Sequence, residues 1–339
     1  MRFTDEDIND PEVMEFLAEQ ESQWMESPVG VLDRVKKLLL IGDQQSGATL
    51  PWNKTHESFR MRPGELTCWA GTNGHGKSQM LGQVMAWLLP TQRVCIASME
   101  MTLEKTILRL LRQCSGQENP TVDFAERWSH WADDRLYLYD QLDNVETTRI
   151  IAMINYAAVK LKCEHIVIDS MMKCGVTSEK NDPQKEFVNT LTSLAKMRNI
   201  HIHLVHHVRK GTSEYDMPNK YDVKGAGEIV DQVDNLCIVF RNKRKEEDIR
   251  NGEDVDAHVP DAWLKIDKQR HGEREDKFSL FFHTPSQQYT PKHGYGAMPW
   301  PYPGATILDH TVTTSQENSG RPLGENPAGV SEFPETGFH

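Results

Sequence analysis

An octapeptide in the first quarter of the chain has the composition of a phosphate-binding loop. Residues 71–78 read Gly-Thr-Asn-Gly-His-Gly-Lys-Ser, and their glycines let backbone N–H groups turn toward a chain of phosphates. In such a loop the lysine carries a positive charge to the β- and γ-phosphates and the serine holds Mg²⁺. The pattern therefore predicts that a nucleoside triphosphate, ATP or another, binds here with Mg²⁺. The candidate nucleotide-contacting residues are Gly71, Thr72, Asn73, Gly74, His75, Gly76, Lys77 and Ser78.

The residues on either side of this loop predict the elements that would position it. Residues 65–70 form an apolar run of strand length, and residues 79–89 have the spacing of an amphipathic helix that Pro90 ends. The phosphates would then lie at a helix amino terminus, where unpaired N–H groups and the helix dipole favour anions. This context argues against the alternative, a chance octamer in a glycine-containing loop.

Two carboxylates follow strand-like apolar runs. Glu100 ends residues 94–100, and Asp169 ends residues 165–169. Because ligands bind outside the carboxyl ends of parallel strands, both side chains are expected beside the phosphates. Glu100 is the candidate that orients or deprotonates the attacking water, and Asp169, with Ser78, is the candidate that supports Mg²⁺. The competing interpretations are a solvated strand-end glutamate and a turn aspartate.

A third strand-like run, residues 200–207, ends in two imidazoles, His206 and His207. A polar side chain at this position can contact the γ-phosphate on one side and a following loop on the other, so it could sense hydrolysis. A metal pair is disfavoured, because adjacent strand residues point to opposite faces. An ordinary core or surface histidine remains the alternative.

Lys268 and Arg270 end a fourth strand-like run and, by strand alternation, share one face. The phosphate loop already has Lys77, so this second pair is not needed by the same chain's loop. The pair could instead reach a neighbouring subunit's γ-phosphate as an arginine finger. A basic β-turn is the plainer alternative.

Composition places the chain among cytoplasmic proteins without a membrane segment. The start of the chain is acidic, unlike a signal peptide, and no apolar run approaches the ~20 residues of a membrane helix. Six cysteines without a C-x-x-C pair indicate reduced, buried thiols. The net charge is −12, but residues 1–30 carry nine acidic and one basic residue, and residues 311–339 carry four and one. The intervening part is nearly neutral, so nucleic acid is not excluded.

Strand-like and helical segments alternate along the middle of the chain, which predicts an α/β fold with a mainly parallel, twisted sheet flanked by helices. The last strands follow each other without helices and predict an antiparallel C-terminal extension. Four segments are expected: an acidic arm over residues 1–28, a helix and loop over 29–59, the main domain over 60–305, and a disordered acidic tail over 306–339.

Taken in order, these motifs resemble the RecA-like motor domain of hexameric replicative DNA helicases, over roughly residues 30–295. That group includes DnaB-like helicases, the helicase half of phage primase-helicases and the mitochondrial Twinkle helicase. The resemblance rests on residues 62–65, 71–78, 98–100, 166–170, 206–207, 224–227 followed by Asp234, and 268–270. The Lys-x-Arg pair and the Gly-x-Gly stretch are its specific members, since many ATPases share the rest.

The resemblance implies roles for these residues. Glu100 resembles the catalytic base and His207 the γ-phosphate sensor, with His206 as the alternative, while Lys268 and Arg270 resemble the pair inserted from the adjacent subunit. Arg241 and Phe282 lie where the family sandwiches the nucleotide base, although phenylalanine replaces an expected tyrosine. The segment 209–227 resembles the DNA-binding loop; a flexible surface hairpin is the alternative. Its candidate DNA contacts are Arg209, Lys210, Lys220, Lys224, Gly225 and Gly227.

The implied protein is an ATP-driven ring, a hexamer, that moves 5′→3′ on single-stranded DNA and unwinds the replication fork in a bacterial or phage-infected cytoplasm. Residues 29–41 resemble the linker helix that docks on the next subunit. The acidic tail, with Phe333 and Phe338, is suggestive of a docking site for DNA polymerase or primase; an inert tail is the alternative. No cysteine cluster for a primase zinc module is present, so a helicase without primase is expected unless the chain is a fragment.

Two other functions compete with this one. A RecA-like recombinase or recombination mediator would bind single-stranded DNA without unwinding, and the Lys-x-Arg pair argues against it. A clamp or loader subunit would bind ATP as a structural ligand, and intact Glu100 and Asp169 argue against that.

Overall fold

The architecture is a nine-stranded sheet with helices on both faces. It is seen in a computed structural model that describes residues 25–41, 46–176, 181–208, 215–223, 226–272 and 274–298. The strand order is β3-β2-β4-β5-β1-β6-β7-β8-β9, and the first six strands in this order are parallel while the last three join antiparallel. The strands are β1 Leu66–Gly71, β2 Val94–Ser98, β3 Leu136–Leu138, β4 His165–Asp169, β5 His201–His207, β6 Asn235–Arg241, β7 Ala262–Gln269, β8 Lys277–His283 and β9 Gln288–Thr290.

The described α-helices connect the parallel strands and cover the sheet. They are α1 Leu32–Ile41, α2 Lys77–Leu88, α3 Leu103–Ser115, α4 Val122–Ala132, α5 Thr147–Val159, α6 Asn181–Arg198, α7 Ala226–Gln232 and α8 Lys243–Arg250. Apolar side chains of α2, α3 and α4 pack on one face of the sheet, and those of α5, α6 and α7 on the other. Alternation along β1 shows the division, because Cys68 faces the second group and Trp69 the first. The predicted fold class is confirmed, including the antiparallel extension.

The burial of side chains changes along the amino-terminal part of the chain. Leu39 and Leu40 in α1 are 78 % and 86 % exposed, whereas Leu50 and Trp52 are fully buried in the core. The Trp52 indole N–H donates to the backbone carbonyl of Tyr289 (2.8 Å). Residues ahead of the expected domain boundary at 60 therefore already pack on the sheet. Residues 1–24 of the predicted arm and all of the predicted tail lie outside the described residues.

All six cysteines are buried and unpaired, as the sequence predicts. Burial raises the pKa of the Cys68 and Cys114 thiols to about 12. The described part of the chain contains no helix that is both long and apolar enough to cross a bilayer.

A chain of buried imidazoles joins β1, β4 and β5. The Trp69 indole N–H donates to His203 Nδ1 (3.1 Å), so His203 carries its proton on Nε2 and donates it to His165 Nδ1 (3.0 Å). His201 donates from Nδ1 to the Arg62 carbonyl (2.7 Å) and accepts from the Thr67 hydroxyl at Nε2 (2.8 Å). The bonds at His203 Nδ1 and His165 Nδ1 require neutral rings, because both nitrogens act as acceptors.

Acid should therefore destabilise the fold through these histidines. Burial lowers the pKa of His201 from 6.5 to about 4, and burial with the neighbouring imidazoles lowers the pKa of His203 well below 6.5. Below pH 6.5 the unfolded chain binds protons that the folded chain refuses, so stability is complete above that pH and is lost as pH falls toward 4. We expect His201 alone to lower the free energy of unfolding by about 2 kcal/mol between pH 6.5 and 5, and His203 to add to this loss.

Urea denaturation at a series of pH values measures this dependence. His203→Leu should flatten the slope even if it lowers the stability at pH 7. His258→Gln removes an exposed histidine and should leave the slope unchanged. An equal slope in wild type and His203→Leu would contradict the assignment.

Candidate active site

The phosphate-binding loop lies between β1 and α2 at the carboxyl ends of the parallel strands. Gly76 precedes α2 with a φ of +83°, a left-handed conformation that glycine adopts without strain, and Gly74 has a φ of +78°. The loop borders a cavity of about 840 Å³, within the usual size range of ligand sites. Its charged lining comprises five cationic residues and two carboxylates: Lys77, Lys105, Arg109, Arg112, Arg241, Glu100 and Asp169. The excess of positive charge suits an anionic ligand.

Lys77 is folded back into the loop. Its ammonium group donates to the carbonyls of Gly71 (2.9 Å) and Thr72 (3.1 Å) and to His207 Nδ1 (3.3 Å). Burial lowers the pKa of Lys77 to about 8, while Asp169 and Glu100 act in the opposite direction. The lysine is thus held inside the loop by neutral acceptors, which the negatively charged oxygens of a phosphate can replace.

Glu100 lies just beyond β2 and is tied to β4 and β5. The Ser170 hydroxyl donates to Glu100 Oε1 (2.7 Å), and His207 Nε2 lies 4.0 Å from the same oxygen. Because Lys77 donates to His207 Nδ1, a neutral His207 carries its proton on Nε2, toward Glu100. The side chain of Glu100 is 42 % exposed, so its carboxylate has room to contact a water in the cavity.

Asp169 ends β4 on the floor of the cavity and hydrogen-bonds with Ser78. Burial raises the pKa of Asp169, against the opposing effect of the Ser78 hydrogen bond. A serine hydroxyl beside a carboxylate offers the hard oxygen ligands that Mg²⁺ prefers, with phosphates and water completing its shell. The pair therefore fits the predicted magnesium site. Within the described residues, no group of three or more His, Cys, Asp and Glu side chains could hold a metal ion.

Three predicted residues present no side chain to the cavity. Gly71 belongs to β1, where an added Cβ would lie 2.4 Å from the Val239 carbonyl oxygen. His75 is fully buried and turned away from the cavity, because its Nδ1 accepts the backbone N–H of Arg241 (3.2 Å). Burial lowers the pKa of His75 to about 4. His206 is buried in β5, on the opposite face from His207, so the alternative sensor lies away from the cavity.

The two predicted base-contacting residues, Arg241 and Phe282, both line the cavity. Arg241 ends β6 and its guanidinium pairs with Glu246 of α8. The Phe282 ring on β8 packs 5.2 Å from the Tyr289 ring, centroid to centroid. The structure thus brings these side chains to the same cavity as Lys77, Glu100, Asp169 and His207.

Lys268 and Arg270 lie at the opposite end of the strands from the cavity. The Lys268 ammonium donates to the carbonyls of Val230 (2.6 Å) and Val233 (2.9 Å) at the end of α7, and Arg270 Nε lies 3.2 Å from the buried Asp234 carboxylate. These residues adjoin the first residue of β6, while Arg241 at its end borders the cavity. Since β6 has seven residues, its ends lie roughly 20 Å apart. The pair cannot contact the phosphate loop of its own chain.

The predicted DNA-binding segment is only partly a loop. Val208 and Val223 form an antiparallel bridge, so the chain leaves and rejoins the sheet at one point directly after His207. Lys220 lies in a 3₁₀ helix, Lys220–Asp222, that a reciprocal Asn219–Asp222 capping box stabilises, and it pairs with Glu275 (3.3 Å). Gly227 lies in α7, not in a loop. Arg209, Lys210, Lys224 and Gly225 lie outside the described residues.

Sequence reasoning assigned no role to three side chains: Arg109 and Tyr289, which line the cavity, and Ser170, which contacts Glu100. Ser170 follows Asp169 directly, and this adjacency to a predicted site residue is a usable signal. Arg109 lies on α3, and burial lowers the pKa of its guanidinium. The sequence does indicate its position, because Arg109 is one of three cations with the spacing of one helix face. Tyr289 is in β9, a three-residue strand that gives no pattern.

Comparison with known proteins agrees with this geometry. The chain matches a DNA helicase/primase from Enterobacteria phage T3 with 26 % identity over 206 residues, which is 54 % of this chain and 36 % of that relative. The chain thus spans about a third of the length of that relative. Two solved structures share the fold. A DnaB-like replicative helicase, described with its interactions with primase, aligns with a TM-score of 0.63 and 13 % identity over 80 % of this chain and 70 % of that one. An ATPase domain aligns with a TM-score of 0.64 and 14 % identity over 78 % and 98 %.

A sequence-family match identifies the domain itself. The description of the matched family is DnaB-like helicase C terminal domain, and the match covers residues 58–291. This range contains the phosphate loop, both cavity carboxylates, His207 and the Lys268–Arg270 pair. The chain belongs to the DnaB-like helicase C-terminal domain family.

Proposed function

We propose that this chain is the motor of a ring-shaped replicative DNA helicase that hydrolyses ATP, moves 5′→3′ on single-stranded DNA and unwinds duplex. The proposal rests on one observation: the Lys268–Arg270 pair and the phosphate loop, which one reaction site needs together, lie far apart in the same chain. Lys268 and Arg270 lie roughly 20 Å from their own phosphate loop, so a complete site needs a second copy of the chain. Repetition of this head-to-tail contact closes a ring, for which we propose six subunits.

Within one subunit, the cavity residues bind and activate the nucleotide. Lys77 exchanges its carbonyl partners for the β- and γ-phosphates, and the loop N–H groups contact the same oxygens. Glu100, oriented by Ser170, accepts a proton from the attacking water. Arg241 and Phe282 hold the base between a guanidinium and an aromatic face.

Ser78 and Asp169 would hold Mg²⁺. The ion supplies charge neutralisation to the β- and γ-phosphate oxygens when it is bound. Lys268 and Arg270 of the neighbouring subunit then stabilise the transferring phosphoryl group.

The path from the phosphates to DNA runs through β5. His207 contacts Lys77 and faces Glu100, and the next residue, Val208, closes the base of the DNA-binding segment on Val223. A change at the γ-phosphate that moves His207 would therefore act on this segment through the adjacent residue, Val208. Cations of the segment would hold phosphates of one strand without reading sequence. The exposed α1 helix is proposed to dock on the next subunit, and primase or polymerase to bind the C-terminal tail.

Strand separation on forked DNA tests the proposal. Forks with only a 5′ or only a 3′ single-stranded tail are incubated with the protein, ATP and Mg²⁺, and release of the labelled strand is followed. We expect release from the 5′-tailed fork alone, and no release with the Glu100→Gln variant. DNA-stimulated hydrolysis without release from either fork would favour a recombinase or mediator, and release from the 3′-tailed fork alone would overturn the proposed polarity.

A further inference from the structure

Tyr289 is a buried phenol at the phosphate loop for which the described protein supplies no hydroxyl partner. The residue is 3 % exposed, and it lines the nucleotide cavity. Its backbone makes hydrogen bonds, but within the described part of the chain its hydroxyl makes none. The hydroxyl oxygen is not among the solvent-excluded polar atoms of the described protein, so it opens into the cavity that Tyr289 lines. The partner of this hydroxyl is therefore to be sought in the cavity.

The hydroxyl lies against the last glycine of the loop. A Cβ built on Gly76 would be 2.2 Å from Tyr289 Oη and 4.0 Å from Gln79 Cβ. Gly76 is directly before Lys77, and Gln79 is in the first turn of α2, so the hydroxyl lies where backbone N–H groups of the loop and helix converge. A phosphate bound by those N–H groups would come within reach of the phenol.

Side-chain amides hold the backbone of Tyr289 in place. Gln83 of α2 donates to the Tyr289 carbonyl (2.8 Å) and accepts the Tyr289 N–H (2.7 Å). Gln113 of α3 donates to the carbonyls of Gln79 (3.0 Å) and Gln287 (3.2 Å). β9 is thereby bound to the helix that begins at the phosphate loop, and Tyr289 keeps its position relative to that loop.

We propose that the Tyr289 hydroxyl is an additional phosphate-binding group, which donates a hydrogen bond to a non-bridging oxygen of the phosphate chain of a bound nucleoside di- or triphosphate beside Gly76. The inference rests on the proposed nucleotide-dependent function and adds to it a neutral donor from the antiparallel edge of the sheet. Burial raises the pKa of Tyr289 to about 12, so the phenol keeps its proton near neutral pH.

Nucleotide binding by Tyr289→Phe tests the inference, because this change removes one oxygen and keeps the ring that packs on Phe282. Isothermal titration of the full chain with ADP, pyrophosphate and adenosine separates phosphate from base contacts. We expect Tyr289→Phe to weaken ADP and pyrophosphate roughly tenfold, the magnitude of a hydrogen bond to a charged group, and to leave adenosine unchanged. Tyr156→Phe makes the same chemical change at an exposed position of α5 and should alter none of the three affinities.

Two results would overturn the inference: unchanged ADP affinity in Tyr289→Phe, or equal weakening of ADP and adenosine, which would mean that the hydroxyl only shapes the site. Thermal unfolding of the variant should match wild type, since the hydroxyl has no partner in the described protein. Lys77→Ala distinguishes this failure from failure of the proposed function. If wild type binds ADP and Lys77→Ala does not, the nucleotide site stands whatever the Tyr289 result. If wild type binds no nucleotide, both proposals fall.

Discussion

Replacing Glu100 with glutamine is expected to lower the turnover number for ATP hydrolysis by about 10²- to 10⁴-fold, the usual contribution of a general base. The carboxylate is aimed by the Ser170 hydroxyl and faces His207, and part of it is open to the cavity. An amide of the same shape keeps the contact with Ser170 but cannot accept a proton. ATP affinity should therefore stay within a few-fold of wild type while the chemical step fails.

Single-turnover hydrolysis measured together with nucleotide affinity checks this expectation. Glu104→Gln is the matched control, because it makes the same change in charge at an exposed position in the first turn of α3. Turnover within tenfold of wild type in Glu100→Gln would assign the base to another group. Weaker ATP binding with unchanged turnover would assign Glu100 to ground-state binding instead.

Arg270→Ala is expected to reduce ATP hydrolysis by about 10³- to 10⁵-fold, the range for loss of an arginine finger, while nucleotide binding persists. The reason is geometric. Arg270 lies at the end of the strands opposite its own phosphate loop, so its loss is expected to affect the site of a neighbouring subunit. The substitution also leaves buried Asp234 without its cation, so Arg270→Lys, which keeps the charge but loses the planar fork, is measured beside it.

Mixed assemblies decide whether the residue acts in trans. Subunits carrying Lys77→Ala and subunits carrying Arg270→Ala are each expected to be inactive, but a mixture forms some sites from an intact loop and an intact finger. Partial recovery of hydrolysis in the mixture is the expected result. Arg274→Ala removes an exposed arginine four residues away and should leave hydrolysis unchanged. Full DNA-stimulated activity of Arg270→Ala alone, or no recovery in the mixture, would contradict the assignment in trans.

Strands β1, β2 and β4 could be predicted because each is a short, mainly apolar run buried on both faces of the sheet. The strand that ends at Asp169 and the strand that precedes Gly71 are fully buried along their length, and such strands have little polar content to obscure them. For the same reason Glu100 after β2 and Asp169 at the end of β4 were visible as breaks in an apolar pattern. Strand alternation placed Lys268 and Arg270 on one face, but only the family resemblance favoured insertion into a neighbouring subunit over a basic β-turn.

Elements without an apolar stripe escaped prediction. α8 reads KRKEEDIR and buries only Lys245, so its hydrophobic pattern is too weak to mark a helix. Its amino terminus did carry a signal, because the Asn242 side chain caps Lys245 N–H (3.1 Å). The capped turn around Lys220 was likewise taken for an open loop.

Contacts between distant residues could not be predicted at all. Tyr289 and Gln83 are 206 positions apart, and nothing in either local sequence indicates the two hydrogen bonds between them. The side chain of His75 is a similar case. A loop residue in a phosphate-binding motif is expected to face the ligand, but the backbone N–H of Arg241 at the end of β6 draws its ring into the core.

The six buried thiols should react slowly with the reagents that attach spectroscopic labels. Alkylating reagents attack thiolates, and a thiol with a pKa of about 12 is ionised in roughly one molecule in 10⁵ at neutral pH. Burial of all six side chains adds a steric barrier, so native thiols react only when the surrounding structure opens. A cysteine introduced on the surface would therefore accept a fluorophore selectively, with every native cysteine left in place. The slow rate at which the native cysteines of the unmodified chain are labelled would, in turn, measure how often the structure around them opens. These cysteines lie in the part of the chain that runs from β1 to β6.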